Sequence, residues 1–291
     1  MRINTLCLLM LQVVCAAYAY GGDGGYVYPP RDDRDTVIFF IHGFNGDPVG
    51  TWTNEKTGAY FPKLIADDKE INADVYVFSY PSPAEWLRAA DNAQLVPEIA
   101  DHLIATLESE LIAKGKHRIV LVAHSMGGLV AWSMLCAKRT DYVATGYIPM
   151  LYTYATPGNG AGIANIAKYV LRSKQLADLE PIDKNAWLQQ IRLDWKNAIN
   201  LRKLDAYCAF EEKDTAFPKI NHPSIRIVTE ESATALCNQK PHGILADHLE
   251  IVKPDNTASD AYLSFKNAFL SERAKWKTAD KTVLSTTAHH D

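Results

Sequence analysis

The chain has 291 residues, of which 47% are hydrophobic and 22% are charged, and its formal net charge is −4. This composition is typical of one globular domain with enough apolar residues to bury a substantial core. The sequence pI of about 6.1 argues against a nucleic-acid-binding protein, because phosphate backbones require a basic surface.

The N-terminus has the pattern of a secretory signal. An apolar run over residues 6–17 follows Met1 and Arg2, and residues 17–19 form a small-x-small cleavage site. We therefore expect a cleaved signal peptide over residues 1–19 and a secreted or periplasmic protein. The run is short for a bilayer span, but an uncleaved N-terminal anchor stays an open alternative.

Residues 20–35 combine a glycine-rich stretch, two prolines and a cluster of charged residues. This composition predicts a flexible polar leader, so that the folded domain extends over residues 36–291. The glycines do not indicate a nucleotide-binding loop, because they lack the preceding strand, the following helix and the lysine of such loops.

Short apolar runs then alternate with helical patterns. The predicted strands share a high apolar content and cover residues 36–41, 75–80, 119–123, 150–154, 204–210 and 224–228. The clearest helix covers residues 95–114, and Gly115 is expected to end it. This alternation predicts an α/β fold in which a mostly parallel sheet carries helices on both faces.

Residues 158–202 interrupt the alternation with a helical insertion that has no strand pattern. Two interpretations stay open for it: a cap or lid over the site, and ordinary helices that cover the sheet. A final helix over residues 260–277 carries aromatic residues, which we expect to pack on the sheet as core.

Without the signal peptide the chain keeps three cysteines, so at most one disulfide forms within it. Cys208 and Cys237 are the favoured pair, since Cys136 falls in an apolar helical segment and is interpreted as a buried small residue. Three free thiols stay an alternative.

Residues 123–128, Ala-His-Ser-Met-Gly-Gly, directly follow the apolar run 119–122. A serine on a sharp turn between a strand and a helix is held in a strained conformation, and small residues are needed on both sides. Ala123 and Gly127 meet this need around Ser125. The pattern predicts a serine nucleophile; a corner in which Ser125 only caps the helix is the alternative.

A serine nucleophile needs backbone donors for the oxyanion, a base, and a group that orients the base. Residues 41–46, Ile-His-Gly-Phe-Asn-Gly, follow the first core strand, and the amides of Phe44 and Met126 are the predicted oxyanion-hole donors. We interpret His42 as a structural residue that supports this loop, not as the base.

The base is expected late in the chain, after the last strands. His248, at the start of a predicted helix, is our choice, and His242 is the second candidate. For the acid, Glu211 comes first after its strand, and Asp214 is the alternative. Asp247 is disfavoured because adjacent side chains at a helix start point apart.

Five blocks of sequence together resemble the α/β-hydrolase superfamily. They are FIHGF at residues 40–44 with TW at 51–52, AHSMGG at 123–128, ATP at 155–157, CAFE at 208–211 and DHLEIVKP at 247–254. The closest resemblance is to the branch that contains the serine-active-site proteins and the GPI inositol-deacylase-like lipases. It implies an α/β-hydrolase fold with Ser125 as nucleophile, His248 as base and Glu211 as orienting acid.

The function that we expect is hydrolysis of carboxylic esters through an acyl-enzyme on Ser125. Lipids or other small-molecule esters are the expected substrates, and a peripheral membrane contact is compatible with a lipid. An acyltransferase, an amidase and a non-catalytic binding protein on the same fold are the alternatives.

We expect no cofactor and no metal site, since no Cys or His pair stands at ligand spacing apart from the terminal His289 and His290. The oligomeric state is left open.

Overall fold

The computed structural model of the protein is built around a seven-stranded sheet. The structure describes residues 24–44, 46–80, 92–112, 115–143, 145–159, 186–199, 204–217 and 222–287. In chain order the strands are β1 (Gly25–Tyr26), β2 (Thr36–Ile41), β3 (Asp74–Phe78), β4 (Arg118–His124), β5 (Met150–Tyr154), β6 (Asp205–Glu211), β7 (Thr215–Phe217), β8 (His222–Ile225) and β9 (His242–Ile244). The sheet order is β1-β3-β2-β4-β5-β6-β9, and all neighbours in it are parallel except β1 and β3.

Helices cover both faces of this sheet, as the apolar strands predicted. They are α1 (Phe61–Asp67), α2 (Asn92–Thr106), α3 (Met126–Tyr142), α4 (Ala186–Ile199), α5 (Glu230–Thr234) and α6 (Asp260–Thr287). Single turns add a π-helical segment at Leu107–Ile112 and 3-10 segments at Gly50–Trp52 and Glu250–Val252. Among the described helices, none combines the length and the apolar composition that a membrane span needs.

Alternate residues of the central strands enter two separate cores. Phe39 of β2 belongs to the core that includes Leu103 of α2, while its neighbour Phe40 belongs to the core that includes Phe265 of α6. Strand β2 is buried at every position, because side chains that alternate between two covered faces meet protein on both sides.

Several predicted elements are confirmed. Strands β2 and β5 have the predicted bounds, and α2 begins three residues before the predicted start. Gly115 has φ +75°, a conformation that favours glycine, and its N–H donates to the carbonyl of Ile112. Three aromatic residues of α6 are buried as core: Tyr262, Phe265 and Phe269.

Residues 24–35, which the sequence predicted to be a flexible leader, belong to the fold. Strand β1 pairs with β3, Val27 is buried, and Arg34 forms an ion pair with the buried Asp74. The glycines and charged residues of this segment therefore make specific contacts rather than a solvated linker. Residues 1–23, which include the predicted signal peptide, lie outside the described residues.

At the end of the domain, one strand prediction needs correction and one strand was missed. The strand predicted over residues 224–228 is β8, which ends at Ile225 and pairs antiparallel with β7, outside the main sheet. The last strand of the main sheet is instead β9, which was not predicted. Its sequence, His-Gly-Ile, is too short and too polar to stand out as a buried strand.

The helical insertion is described only at its ends. Helix α4 packs against α3, with the rings of Trp195 and Trp132 6.1 Å apart, and the indole N–H of Trp195 donates to the carbonyl of Leu236 at 2.7 Å. This part of the insertion therefore packs against the helix that follows Ser125. The lid interpretation covers residues 158–202, of which 160–185 and 200–202 lie outside the described residues.

Candidate active site

Ser125 stands at a sharp corner between β4 and α3. Its φ of +53° lies in the left-handed region, which is unfavourable for a residue with a side chain. The corner is held because the Ser125 N–H donates to the carbonyl of Tyr154 at 2.9 Å and the Ser125 carbonyl accepts from the N–H of Gly128 at 3.0 Å. The predicted strand–serine–helix corner is present.

Close backbone contacts explain the small residues around this corner. A Cβ on Gly127 would lie 2.4 Å from the carbonyl oxygen of His42 and 2.5 Å from that of Ile41. A Cβ on Gly43 would lie 2.9 Å from the Cβ of Ser125. The loop after β2 and the start of α3 therefore approach each other closely only because both carry glycine.

Three of the predicted site residues form one chain of hydrogen bonds. The Nε2 atom of His248 lies 3.0 Å from Ser125 Oγ, and its Nδ1 atom lies 2.7 Å from Glu211 Oε2. A carboxylate accepts, so Nδ1 carries the proton that it donates to Glu211 and Nε2 is left to accept from the serine hydroxyl. All three residues are at most 3% exposed.

The second carboxylate oxygen of Glu211 is also satisfied. Oε1 accepts from the backbone N–H of Ile227 at 2.8 Å and of Val228 at 2.9 Å. The guanidinium of Arg226 donates to the carbonyls of Glu211 and Glu212 at 2.6 and 2.8 Å. The segment after β8 thus fixes the position of Glu211, and the N–H groups of residues 227 and 228 donate to its carboxylate.

The backbone of His248 is held on both sides. Its N–H donates to Thr215 Oγ1 at 3.2 Å, and its carbonyl lies 2.9 Å from Nε2 of His124. Sequence reasoning named neither Thr215 nor Arg226 for the site. Only the proximity of Thr215 to Glu211 along the chain could have suggested it.

The loop after β2 brings the first predicted oxyanion-hole donor next to the serine. Phe44 follows Gly43, which contacts Ser125, and Met126 is the first residue of α3. Within the described part of the chain, the backbone N–H groups of Phe44 and Met126 donate to no other group. Two free amides beside a serine hydroxyl are what an oxyanion requires.

His42 supports this loop, as predicted. Its ring stacks on Tyr80 with centroids 4.1 Å apart, and its Nδ1–H donates to the Gly43 carbonyl at 2.9 Å. The Tyr80 hydroxyl donates to the His42 carbonyl at 2.7 Å. Burial lowers the pKa of His42 below its usual value, so the ring is neutral, and it makes no contact with Ser125 Oγ.

The alternative site residues have other partners. Asp214 forms an ion pair with Arg226 at 3.0 Å, and His242 lies 2.9 Å from Asp260 on the surface. Asp247 Oδ1 accepts from the N–H groups of the two residues that begin the following turn. The structure therefore brings Glu211 and His248 to Ser125, and not these three residues.

A disulfide lies on the same strand as Glu211. Cys208, three residues before Glu211 on β6, is bonded to Cys237, with the Cα atoms 6.0 Å apart. This is the pair that the sequence favoured, and Cys136 is not part of it. In the described ranges, no group of three or more His, Cys, Asp or Glu side chains is arranged to hold a metal ion.

A sequence profile described as Alpha/beta hydrolase family matches residues 38–247 of the chain. Among solved structures, the mature lipase BlEst2 from Bacillus licheniformis is similar, with a TM-score of 0.53 and 17% identity over 86% of this chain and 99% of that one. At this identity the likeness concerns the fold, and it agrees with the fold that the sequence predicted.

Two further structures show a weaker likeness. Phospholipase PlaB from Legionella pneumophila has a TM-score of 0.46 and 16% identity over 62% of this chain and 39% of that one. A membrane phospholipase A described as a bacterial virulence factor has a TM-score of 0.47 and 14% identity over 91% and 97%. No curated protein matches the chain by sequence.

Proposed function

Because the chain belongs to the alpha/beta hydrolase family, we propose that it hydrolyses carboxylic esters through an acyl-enzyme formed on Ser125. The observation that carries the proposal is the continuous chain of hydrogen bonds from Ser125 through His248 to Glu211, at 3.0 and 2.7 Å. In that arrangement the base can accept the serine proton and the acid holds the base in the required tautomer.

In the first half of the reaction, Ser125 Oγ attacks the ester carbonyl carbon while His248 Nε2 takes the hydroxyl proton. Glu211 stabilises the imidazolium that forms. The N–H groups of Phe44 and Met126 receive the negative charge on the former carbonyl oxygen, and each such donor contributes roughly 3–4 kcal/mol to lowering the barrier. The tetrahedral intermediate then expels the alcohol, which takes its proton from His248.

In the second half, water attacks the acyl-enzyme. His248 removes a proton from the water, a second tetrahedral intermediate forms at the same donors, and its collapse releases the carboxylic acid and returns the proton to Ser125. His248 accepts and returns each proton in both halves of the reaction, and neither half uses a metal ion or a cofactor.

The proposed substrates are small-molecule or lipid esters. The five sequence blocks that resemble the serine-active-site proteins and the GPI inositol-deacylase-like lipases support a lipid acyl group. An acyltransferase would differ only in using an alcohol in place of water in the second half, and an amidase only in its leaving group.

Turnover of p-nitrophenyl esters with graded acyl chains tests this proposal. Ser125→Ala is expected to lower kcat about 10⁴-fold or more. The matched control is Ser133→Ala, a buried serine two turns further along α3, which is expected to keep the wild-type rate. Undiminished turnover by Ser125→Ala would remove Ser125 as nucleophile. Product analysis with a competing alcohol separates hydrolysis from acyl transfer.

We propose in addition that residues 1–19 direct export and are removed. N-terminal sequencing of the exported protein is expected to begin at Tyr20. A retained Met1 in the exported protein would contradict cleavage.

A further inference from the structure

His124 is a buried polar residue next to the nucleophile that the mechanism above does not use. It ends β4, is 6% exposed, and places Nε2 2.9 Å from the carbonyl oxygen of His248. A carbonyl only accepts, so Nε2 carries the proton and donates it. The other ring nitrogen, Nδ1, is buried and has no hydrogen-bond partner in the described part of the molecule.

The ring of His124 is electrically neutral. Burial and then the facing ring of His248, 5.0 Å away, hold the pKa of His124 well below its usual value, and Lys253 and His42 act in the same direction. The hydrogen bond to the His248 carbonyl opposes this shift without reversing it. Neutrality matters because His248 becomes a cation when it takes the serine proton, and a second cation at 5 Å would oppose that transfer.

The contact also joins two parts of the site that are distant in sequence. His124 belongs to the strand that carries Ser125, while His248 belongs to a loop 124 residues later. The backbone of that loop is fixed near the base by His124 on the carbonyl side and by Thr215 on the N–H side. A displacement of a catalytic group by about 1 Å costs on the order of 100-fold in rate.

We propose that His124 is a positioning residue, whose Nε2–H holds the His248 carbonyl so that His248 Nε2 meets Ser125 Oγ. This inference rests on the proposed function. It assigns a task to the second residue of the AHSMGG block that the triad does not include.

The length of the side chain provides the test. Glutamine in His124→Gln reaches about as far as the imidazole and keeps an N–H donor that cannot be protonated, whereas asparagine in His124→Asn is one methylene shorter. His124→Leu removes the donor at similar volume. We expect kcat to fall ~10–100-fold in the Asn and Leu variants with KM within ~2-fold of wild type, and to recover to within ~5-fold in the Gln variant. If the Leu variant fails to fold, the Asn and Gln pair still gives the result.

A second readout does not depend on turnover. The Nδ1–H proton of His248, shared with Glu211, is expected as a far-downfield ¹H NMR signal in the wild type and in His124→Gln, and to be shifted or lost in His124→Asn. A purely structural role would lower the melting temperature of these variants without changing kcat or this signal. Folded Asn or Leu variants with wild-type kcat would overturn the inference, as would a Gln variant as slow as Leu.

Labelling by a fluorophosphonate separates this inference from the proposed function. A folded wild-type protein that is not labelled contradicts the proposed function, and the role of His124 falls with it. Labelling of Ser125 at equal rates in the wild type and in His124→Asn contradicts the role of His124 alone. The expected result is labelling of the wild type and of His124→Gln, and slower labelling of His124→Asn.

Discussion

Two buried polar clusters lie at opposite ends of the same sheet, and they differ in whether all of their polar groups have hydrogen-bond partners. At the amino ends of the strands, the ammonium of Lys116 donates to Asp74 at 2.9 Å and to the carbonyls of Arg31 and Arg34 at 2.8 and 2.9 Å. Arg34 also donates to Asp74 at 3.3 Å. All three ammonium donors and both carboxylate oxygens of this cluster are satisfied.

The cluster at the carboxyl ends is incomplete by comparison. His248 and Glu211 are bonded at both ends, but in the described chain Nδ1 of His124, Oγ1 of Thr156 and the amides of Phe44 and Met126 have no partner. An unpaired buried polar group costs roughly 1–3 kcal/mol, so its persistence calls for an explanation. Donors that are already in place for a charge that develops during a reaction provide one for the two amides.

The comparison predicts a separation of effects. Changes at the amino end lower stability and leave turnover alone, while changes at the carboxyl end lower turnover and leave most of the stability.

The largest effect is expected at the base. His248→Gln removes the group that takes the serine proton, so kcat is expected to fall about 10⁴-fold or more while the melting temperature changes little. His242→Gln is the matched control, because that histidine is exposed and paired with Asp260. Equal losses in steady-state assays of the two variants would contradict the choice of base.

Glu211→Gln is expected to lower kcat about 10³–10⁴-fold, because an amide in this position can present an N–H to His248 and favour the wrong tautomer. Asp214→Asn, which removes only the ion pair with Arg226, is expected to stay within about 3-fold of wild type. If Asp214→Asn proves the slower enzyme, the assignment of the acid is wrong.

At the amino end, Asp74→Asn leaves the buried ammonium of Lys116 without a counter-charge. Denaturant unfolding is expected to show a loss of about 3–5 kcal/mol, with kcat of the folded protein unchanged. Asp33→Asn is the control, since its ion pair with Arg31 is exposed and should contribute no measurable stability. A large fall in kcat for Asp74→Asn would break the separation between the two ends.

Removal of the disulfide is expected to lower stability and to change turnover little. The disulfide closes a loop of 29 residues, so replacing Cys208 and Cys237 together by alanine is expected to cost about 3 kcal/mol in unfolding free energy. The hydrogen bonds of the Glu211 carboxylate are to His248, Ile227 and Val228, so kcat of the folded variant should stay within about 3-fold. Cys136→Ala serves as control. It keeps the disulfide, so a reducing agent is expected to lower its melting temperature by as much as that of the wild type.

The smallest effect concerns pH. Burial keeps the pKa of both His124 and His42 below the usual value of 6.5, so below that pH the unfolded chain binds protons that the folded chain does not. Stability is therefore expected to be highest above about pH 6.5 and to fall as the pH drops towards the lowered values. Unfolding midpoints at pH 7.5 and pH 5 should differ less in His124→Gln than in the wild type; an equal difference would contradict the buried neutral ring.

Much of the sheet could be predicted because its strands are continuous apolar runs between helical patterns. Strand β2 and strand β5 have this property, and their bounds were predicted correctly. Strand β1 is two residues within a glycine-rich segment, and β9 is three residues that include an exposed histidine. Such strands exist because the neighbouring strand offers an open edge, which is information from the fold and not from the local sequence.

The same distinction holds at the candidate site. Ser125, between Ala123 and Gly127, is a local pattern, and Glu211 and His248 follow from chain order and from the resemblance to a family. The contacts of His124, Thr215 and the segment after β8 join residues that are far apart in sequence, so no local pattern predicts them.

We propose that Ser125 is a nucleophile activated through His248. Mass mapping of the peptides after treatment with a fluorophosphonate is the sharpest test, because the reagent bonds covalently to an activated serine and needs no knowledge of the natural ester. The expected result is one adduct on the peptide that contains Ser125, lost in Ser125→Ala and formed much more slowly in Glu211→Gln. A folded wild-type protein that stays unlabelled, or an adduct on another serine that persists in Ser125→Ala, would contradict it.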